Sequence, residues 1–99
     1  MKVDVVSLAV RHNEEEEQFE LEVDGQVAVL AYFVRDSTIY YPHTEVPTAL
    51  QRQGLAAKLA RYALDYARAN GLSVVPRCPY VRAYIRRHPE YADLVEPGR

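Results

Sequence analysis

The amino-acid sequence predicts a single α+β domain in which antiparallel strands come first and a helix, a strand and a second helix follow. Three observations carry this prediction: alternation of polar and apolar residues at 18–24, helical spacing of apolar residues at 53–70, and a short buried run at 72–75 that precedes a second helical pattern. The chain has 99 residues, 48% of them hydrophobic and 26% charged, which suits one domain over 1–99 with a single modest core.

The first two strands form a predicted hairpin. Residues 18–24 alternate between polar and apolar, so this strand is expected to bury one face only. Asp24-Gly25 supplies a tight turn, because glycine readily adopts positive φ. The strand predicted at 27–34 is apolar on both faces and is therefore expected to be central.

A third strand is predicted from Thr38 through Pro42 to Val46. It follows a second turn at Asp36-Ser37. Proline cannot donate a hydrogen bond to a sheet, so position 42 indicates a sheet edge, a bulge or a local parting of strands.

The spacing then predicts a helix from Gln53 to about Asn70. Small and large apolar residues alternate on its inner face, and Tyr62 and Tyr66 are assigned to the core. Asn70-Gly71 is typical of a helix end. A short strand follows at 72–75, and Pro79 opens a second helix that is expected to run to His88.

Charge is divided between the two halves of the chain. Residues 1–49 carry three Lys/Arg and ten Asp/Glu, a net −7, whereas residues 50–99 carry nine and four, a net +5. The arginines are spread over helices without a dense basic run or interleaved aromatic residues, a pattern that disfavours nucleic acid. The acidic run at 14–17 is interpreted as a solvated turn, with an acidic docking site as the alternative.

The same sequence disfavours membrane insertion and secretion. No apolar run is long enough to span a bilayer, and the N-terminus combines Asp4 with no cleavable small-residue site. The single cysteine, Cys78, cannot form an internal disulfide. We therefore expect a cytoplasmic protein without a membrane contact.

The start of the first helix has the features of an anion site. Four backbone N–H groups lack partners at a helix N-terminus, and the helix dipole favours negative charge there. Gly54 would let a phosphate approach the backbone, while Gln51 and Arg52 could add side-chain donors. By itself this spacing also fits an ordinary junction between a loop and a helix.

Four motifs in order give the chain a family resemblance. The pattern Gln51-x-x-Gly54-x-Ala56 resembles the pyrophosphate signature of the GNAT superfamily of acetyl-coenzyme A-dependent N-acetyltransferases. The segments HTEVP (43–47), QGLA (53–56), PRCPYV (76–81) and RHPEY (87–91) are similar to those of its small single-domain branch. The likeness extends from about residue 8 to residue 95.

The resemblance implies a GNAT-like, acyl-CoA N-acyltransferase fold with acetyl-coenzyme A as the acetyl donor. In this fold the strand that ends at Val46 parts from the strand that ends at Cys78, and the pantetheine arm lies in the gap. The pyrophosphate would lie on the segment Gln51, Arg52, Gln53, Gly54, Leu55 and Ala56. Backbone groups around Glu45 and Val46 would pair with pantetheine, and one N–H there could polarise the thioester carbonyl.

Larger members of the superfamily place two helices between their first two strands. Here only the turn from Asn13 to Glu17 is available, so the N-terminal helical region is reduced. The acceptor site is therefore expected to be open, which favours an amine of a protein, a peptide or a polyamine.

The candidate catalytic residues each keep an alternative. Cys78 could be a transient acyl acceptor or a group that positions the thioester, or it could be a small core residue. His43 and Glu45 lie two apart on one strand, and either could accept the amine proton or be structural. Tyr80 and Tyr84 could protonate the leaving thiolate or pack against the cofactor.

Arg87 could reach an outer phosphate or the adenine, or it could lie at a solvated helix end. No spacing of His or Cys residues suggests a metal site. The main alternative to an enzyme is a non-catalytic acyl-coenzyme A binding or sensing module, and a third possibility is an interaction protein that uses the acidic N-terminal half.

Overall fold

A computed structural model of the chain describes residues 3–97, so the first two and last two residues of the predicted domain lie outside the description. Seven strands and two α-helices occur in the described chain: β1 (Arg11–Asn13), β2 (Gln18–Val23), β3 (Gln26–Ala31), β4 (Phe33–Arg35), β5 (Thr38–Tyr40), β6 (Thr44–Glu45), α1 (Leu55–Ala69), β7 (Ser73–Val75) and α2 (Pro79–Arg87). Short 3₁₀ helices add Val5–Ser7, Thr48–Leu50 and Pro89–Leu94.

The strands form two sheets. One has the order β1-β2-β3-β6 with every pair antiparallel. The other has the order β4-β5-β7, in which β4 and β5 are antiparallel and β5 and β7 are parallel. This arrangement confirms the predicted α+β class, and the turn of residues 14–17 is the whole connection between β1 and β2.

The predicted central strand at 27–34 was wrong in one respect, because it is two strands in two sheets. The Ala31 N–H donates to the His43 carbonyl and the Tyr32 N–H donates to the Glu17 carbonyl, at 3.0 and 2.9 Å. Beyond Tyr32 the chain turns away to pair with β5 as an edge strand, so Val34 is partly exposed. The apolar run therefore reflects a change of sheet rather than one strand covered on both faces.

The chain changes sheet again at Pro42. The Tyr41 N–H donates to the Val75 carbonyl at 3.1 Å, and the Tyr41 carbonyl accepts from the Cys78 N–H at 2.8 Å. Pro42 has no N–H to continue this pairing, and the next two residues lie beside β3 instead. The sequence left a sheet edge, a bulge or a parting of strands open at position 42, and the structure shows that the strands part there.

Helix α1 packs against β2, β3 and β7 and carries much of the core. It begins at Leu55 rather than Gln53, because Gly54 adopts a left-handed conformation with φ +88° and precedes the first helical residue. Its buried face consists of Leu55, Leu59, Ala60, Ala63, Leu64 and Ala67. Tyr66 packs against Phe19 as predicted, but Tyr62 is 39% exposed at the rim of this face, so its assignment to the core was wrong.

Glu20 departs from the alternation predicted for β2, because its side chain is buried on the outer face of the sheet. Three side chains donate to its carboxylate: Gln18 Nε2 at 2.6 Å, Arg11 Nε at 2.7 Å and Asn13 Nδ2 at 2.9 Å. The hydrogen bond from Gln18 is the largest of the effects that lower the pKa of Glu20. The carboxylate thus ties β1 to β2.

This arrangement predicts a stability contribution that depends on pH. A carboxylate whose pKa is lowered by folding stabilises the folded state above its unfolded pKa, and the contribution is lost as pH falls through the folded pKa. We expect Glu20→Gln to lower the free energy of unfolding by about 1–3 kcal/mol at pH 7, and the difference from wild type should shrink below about pH 4. Urea denaturation across this pH range measures it.

Glu22→Gln is the matched control, because Glu22 is half-exposed and its nearest Arg11 contact is 3.6 Å. Its effect should stay within about 0.5 kcal/mol. Equal losses for the two variants, or a Glu20→Gln deficit that persists at low pH, would contradict the assignment.

Candidate active site

A cleft of about 400 Å³ opens beside β6, on the side where the chain has left the smaller sheet, and no residue of β7 lines it. It lies between β6, the segment 48–54, the first turn of α1 and the first turn of α2. Its walls are formed by Thr44, Val46, Leu50, Gln51, Arg52, Gly54, Leu55, Ala56, Ala57 and Tyr80. Seven of the thirteen residues predicted for the site therefore line one cavity.

The wall at the start of α1 has the character of an anion site. Arg52 and Gly54 both have left-handed backbone conformations, with φ +65° and +88°. No side chain caps this helix end and its first turn contains no acidic residue. The N–H groups of Leu55 and Ala56 therefore lack intrahelical partners beside the cleft, where the helix dipole adds positive potential.

The two glutamines of the loop have different partners. Gln51 lines the cleft, and its amide donates to the Val46 carbonyl at 3.0 Å. Gln53 is absent from the walls because its amide oxygen accepts the Val3 N–H at 2.8 Å. Gln53 thus anchors the N-terminal segment, and the exposed Arg52 is a side-chain donor that lines the cleft at the loop.

Cys78 lies just behind the apex of the cleft, the point where the two sheets are still joined through Tyr41, and it is not among the residues that line the cavity. It is the residue before α2 and is only 4% exposed. Its Sγ is 3.4 Å from Thr44 Oγ1. Sequence reasoning missed Thr44, although its position two residues before Val46 on one strand places both side chains on the same face.

Tyr80 is half-buried in the cleft wall, in the first turn of α2. Burial raises the pKa of the Tyr80 hydroxyl, and the charge of the exposed Arg87 opposes this shift. The phenol therefore keeps its proton near neutral pH and can act as a hydrogen-bond donor or a proton donor inside the cleft. Arg87 itself is absent from the cleft walls.

Tyr84 lies in a different place from that predicted. It lines a second cavity of about 480 Å³, between α1, α2 and the N-terminal segment, which shares only Ala57 with the cleft. Burial raises the pKa of Tyr84, and its ring stacks on His88 at 4.1 Å. Lys58 closes this region by donating to the carbonyls of residues 5, 6 and 8.

His43 and Glu45 lie on one face of β6, as predicted. Their side chains are 3.3 Å apart and are 55% and 74% exposed. Strand alternation places them on the face opposite Thr44 and Val46, which line the cleft. An acceptor that approached the apex from this outer face would meet a carboxylate and an imidazole before it reached the cleft.

Residues 3–97 contain no group of three His, Cys, Asp or Glu residues that could hold a metal ion. No helix in this part of the chain is long and apolar enough to cross a membrane.

Comparisons with known proteins agree on one family. A family model described as GCN5-related N-acetyl-transferase matches residues 18–94. Protein NATD1 of Xenopus tropicalis is 32% identical over 96 residues, which cover 92% of this chain and 88% of that protein. Protein NATD1 of Homo sapiens is 32% identical over 95 residues, with 91% and 84% covered. The NMR structure of a GCN5-like protein from Staphylococcus aureus matches with a TM-score of 0.70 and 26% identity over 90% of this chain and 88% of that one.

Two glycines that flank α1 allow a matched test of ligand binding at the loop. Gly54 and Gly71 lie at opposite ends of the helix with φ +88° and +65°, and an added Cβ would meet no atom closer than 4.0 Å at either position. Alanine at either site should cost about 1 kcal/mol of folding free energy through backbone strain. Only Gly54→Ala should also weaken coenzyme A binding, by about tenfold or more, because it disturbs hydrogen bonds to a charged ligand.

Calorimetric titration of both variants with coenzyme A measures this difference. Equal affinities for Gly54→Ala and Gly71→Ala would contradict the placement of the phosphates at the loop.

Proposed function

The chain belongs to the GCN5-related N-acetyltransferase family and is an acetyltransferase with a GNAT fold, and we propose that it moves the acetyl group of acetyl-coenzyme A to a primary amine. One observation carries the proposal: a single cleft joins an uncapped helix N-terminus at one end to the parting of the sheets at the other. The pyrophosphate of the donor needs an anion site, and its thioester needs a place beside the separating sheets, so both must lie in one cavity.

The proposed binding mode follows the walls of the cleft. The pyrophosphate binds the N–H groups at Gly54, Leu55 and Ala56, with Arg52 as the side-chain partner. The pantetheine arm lies along the side of β6 that does not pair with β3, where the Val46 carbonyl accepts from the Gln51 amide in the structure described here. An N–H of pantetheine would donate to this Val46 carbonyl in place of the Gln51 amide. The thioester then lies near Thr44, Tyr80 and the apex.

We propose direct transfer rather than an acetyl-cysteine intermediate. Within residues 3–97, the Cys78 thiol has Thr44 as its hydrogen-bond partner, and it forms no hydrogen bond with a carboxylate or an imidazole that could remove its proton. The neutral amine attacks the thioester carbonyl, and a backbone N–H at the end of β6 stabilises the oxyanion. The C–S bond then breaks and Tyr80 protonates the departing thiolate.

The proposed proton acceptor for the amine is the pair of His43 and Glu45. It lies on the outer face of β6, so the amine and the donor would approach the apex from opposite faces of the sheet. The short β1–β2 connection and the high exposure of this pair support an open acceptor site. We therefore propose an amine carried by a protein, a peptide or a polyamine.

The function is tested in two steps with the full chain. Calorimetry with acetyl-coenzyme A should show saturable binding, and spermidine or a lysine-containing peptide should then release free thiol from the bound donor. Binding without thiol release, over a broad panel of amines, would instead identify an acyl-coenzyme A sensor. Absence of binding would overturn the proposed use of acetyl-coenzyme A.

The proton acceptor can be tested through the pH dependence of the rate. Without a base, transfer depends on the fraction of amine that is already neutral, and this fraction is smallest at low pH. We expect Glu45→Gln to lose most rate at low pH and to approach wild type as pH rises. Steady-state thiol release across pH measures the profile, and Glu22→Gln, an exposed carboxylate on the same sheet face, is the control.

An unchanged profile for Glu45→Gln would exclude Glu45. Parallel loss at every pH would indicate a role in binding rather than in proton transfer.

A further inference from the structure

The contact between Thr44 and Cys78 joins two side chains beside the point where the sheets separate. The two residues are 34 positions apart in sequence and belong to segments that pair with different sheets. Thr44 is held by its antiparallel pairing with Leu30 in the larger sheet. Cys78 is held by the hydrogen bond from its N–H to the Tyr41 carbonyl, at the end of the smaller sheet.

The backbone of Cys78 is fixed more completely than its side chain. Its N–H donates to the Tyr41 carbonyl, and its own carbonyl accepts from the Arg82 N–H at 3.0 Å. Within the described chain, the hydrogen bond that sets the direction of Sγ is the one to Thr44 Oγ1, in which either atom can be the donor. The thiol itself does not line the cleft, so it bears on the cavity through Thr44, which does.

We propose that Thr44 is a positioning residue for acetyl transfer, and that its contact with the buried Cys78 thiol fixes the wall of the cleft beside which the thioester is placed. This inference rests on the proposed function, because the thioester must reach the apex. Small errors in placement of reacting groups are costly, so a Thr44 side chain that could rotate would lower the rate of transfer more than the affinity for the donor. The proposal gives Thr44 no direct role in bond making or breaking.

The test is a double-mutant cycle on kcat with acetyl-coenzyme A and spermidine or the lysine-containing peptide, together with Kd for acetyl-coenzyme A. Thr44→Val keeps the shape and removes the hydroxyl, whereas Thr44→Ser keeps the hydroxyl. We expect Thr44→Val to lower kcat by about three- to tenfold, the effect of one hydrogen bond, with Kd within about twofold of wild type. Thr44→Ser should restore most of the rate.

The cycle is completed in the Cys78→Ala background, where Thr44→Val should cost less than about twofold because its partner is gone. The inference is overturned if Thr44→Val matches wild type, if its loss is equally large without Cys78, or if Thr44→Ser fails as badly as Thr44→Val. These outcomes leave the proposed function intact, since wild type still turns over. If wild type neither binds acetyl-coenzyme A nor releases thiol, the proposed function fails and this inference fails with it.

Discussion

The missing N–H of Pro42 is the constraint on which the arrangement of the molecule depends. Up to Tyr41 the strand pairs with β7, and beyond Pro42 it pairs with β3. The Tyr41 side chain is fully buried, and its hydroxyl donates to the Ala63 carbonyl of α1 at 2.5 Å. This hydrogen bond fixes to the helix the point where the strand changes sheet. The cleft follows from this backbone geometry, because two strands that stop pairing leave space between them.

The same change of sheet decides which side chains face the cleft. Ile39 and Tyr41 are buried on the core face of the smaller sheet, whereas Thr44 and Val46 line the cleft. One extra residue between Tyr41 and Thr44 shifts the alternation of side chains along the strand by one position, as a β-bulge does. His43 and Glu45 are thereby directed to the outer face, which separates the proposed donor side from the proposed acceptor side.

Periodicity predicted the elements that stay in one sheet or one helix along their whole length, and it failed where a contact from another segment changes the pairing or the burial of a residue. The alternation of β2 and the helical spacing of α1 and α2 place these elements within two residues of their bounds. The break at Tyr32 and the burial of Glu20 depend on Glu17, Arg11 and other residues that no local pattern relates to them. The motifs likewise predicted the loop at the start of α1. The importance of Thr44, in contrast, depends on its contact with Cys78, which lies 34 residues away in sequence.

Coenzyme A is proposed to bind in the cleft beside β6, with its phosphates at the start of α1. Amide chemical shifts of the ¹⁵N-labelled chain during titration with coenzyme A test this claim directly. We expect saturable changes that are largest at residues 51–56 and 44–46 and weak at Val10 and Tyr62 in the second cavity. Changes confined to the second cavity, with residues 51–56 unaffected, would contradict this placement of coenzyme A.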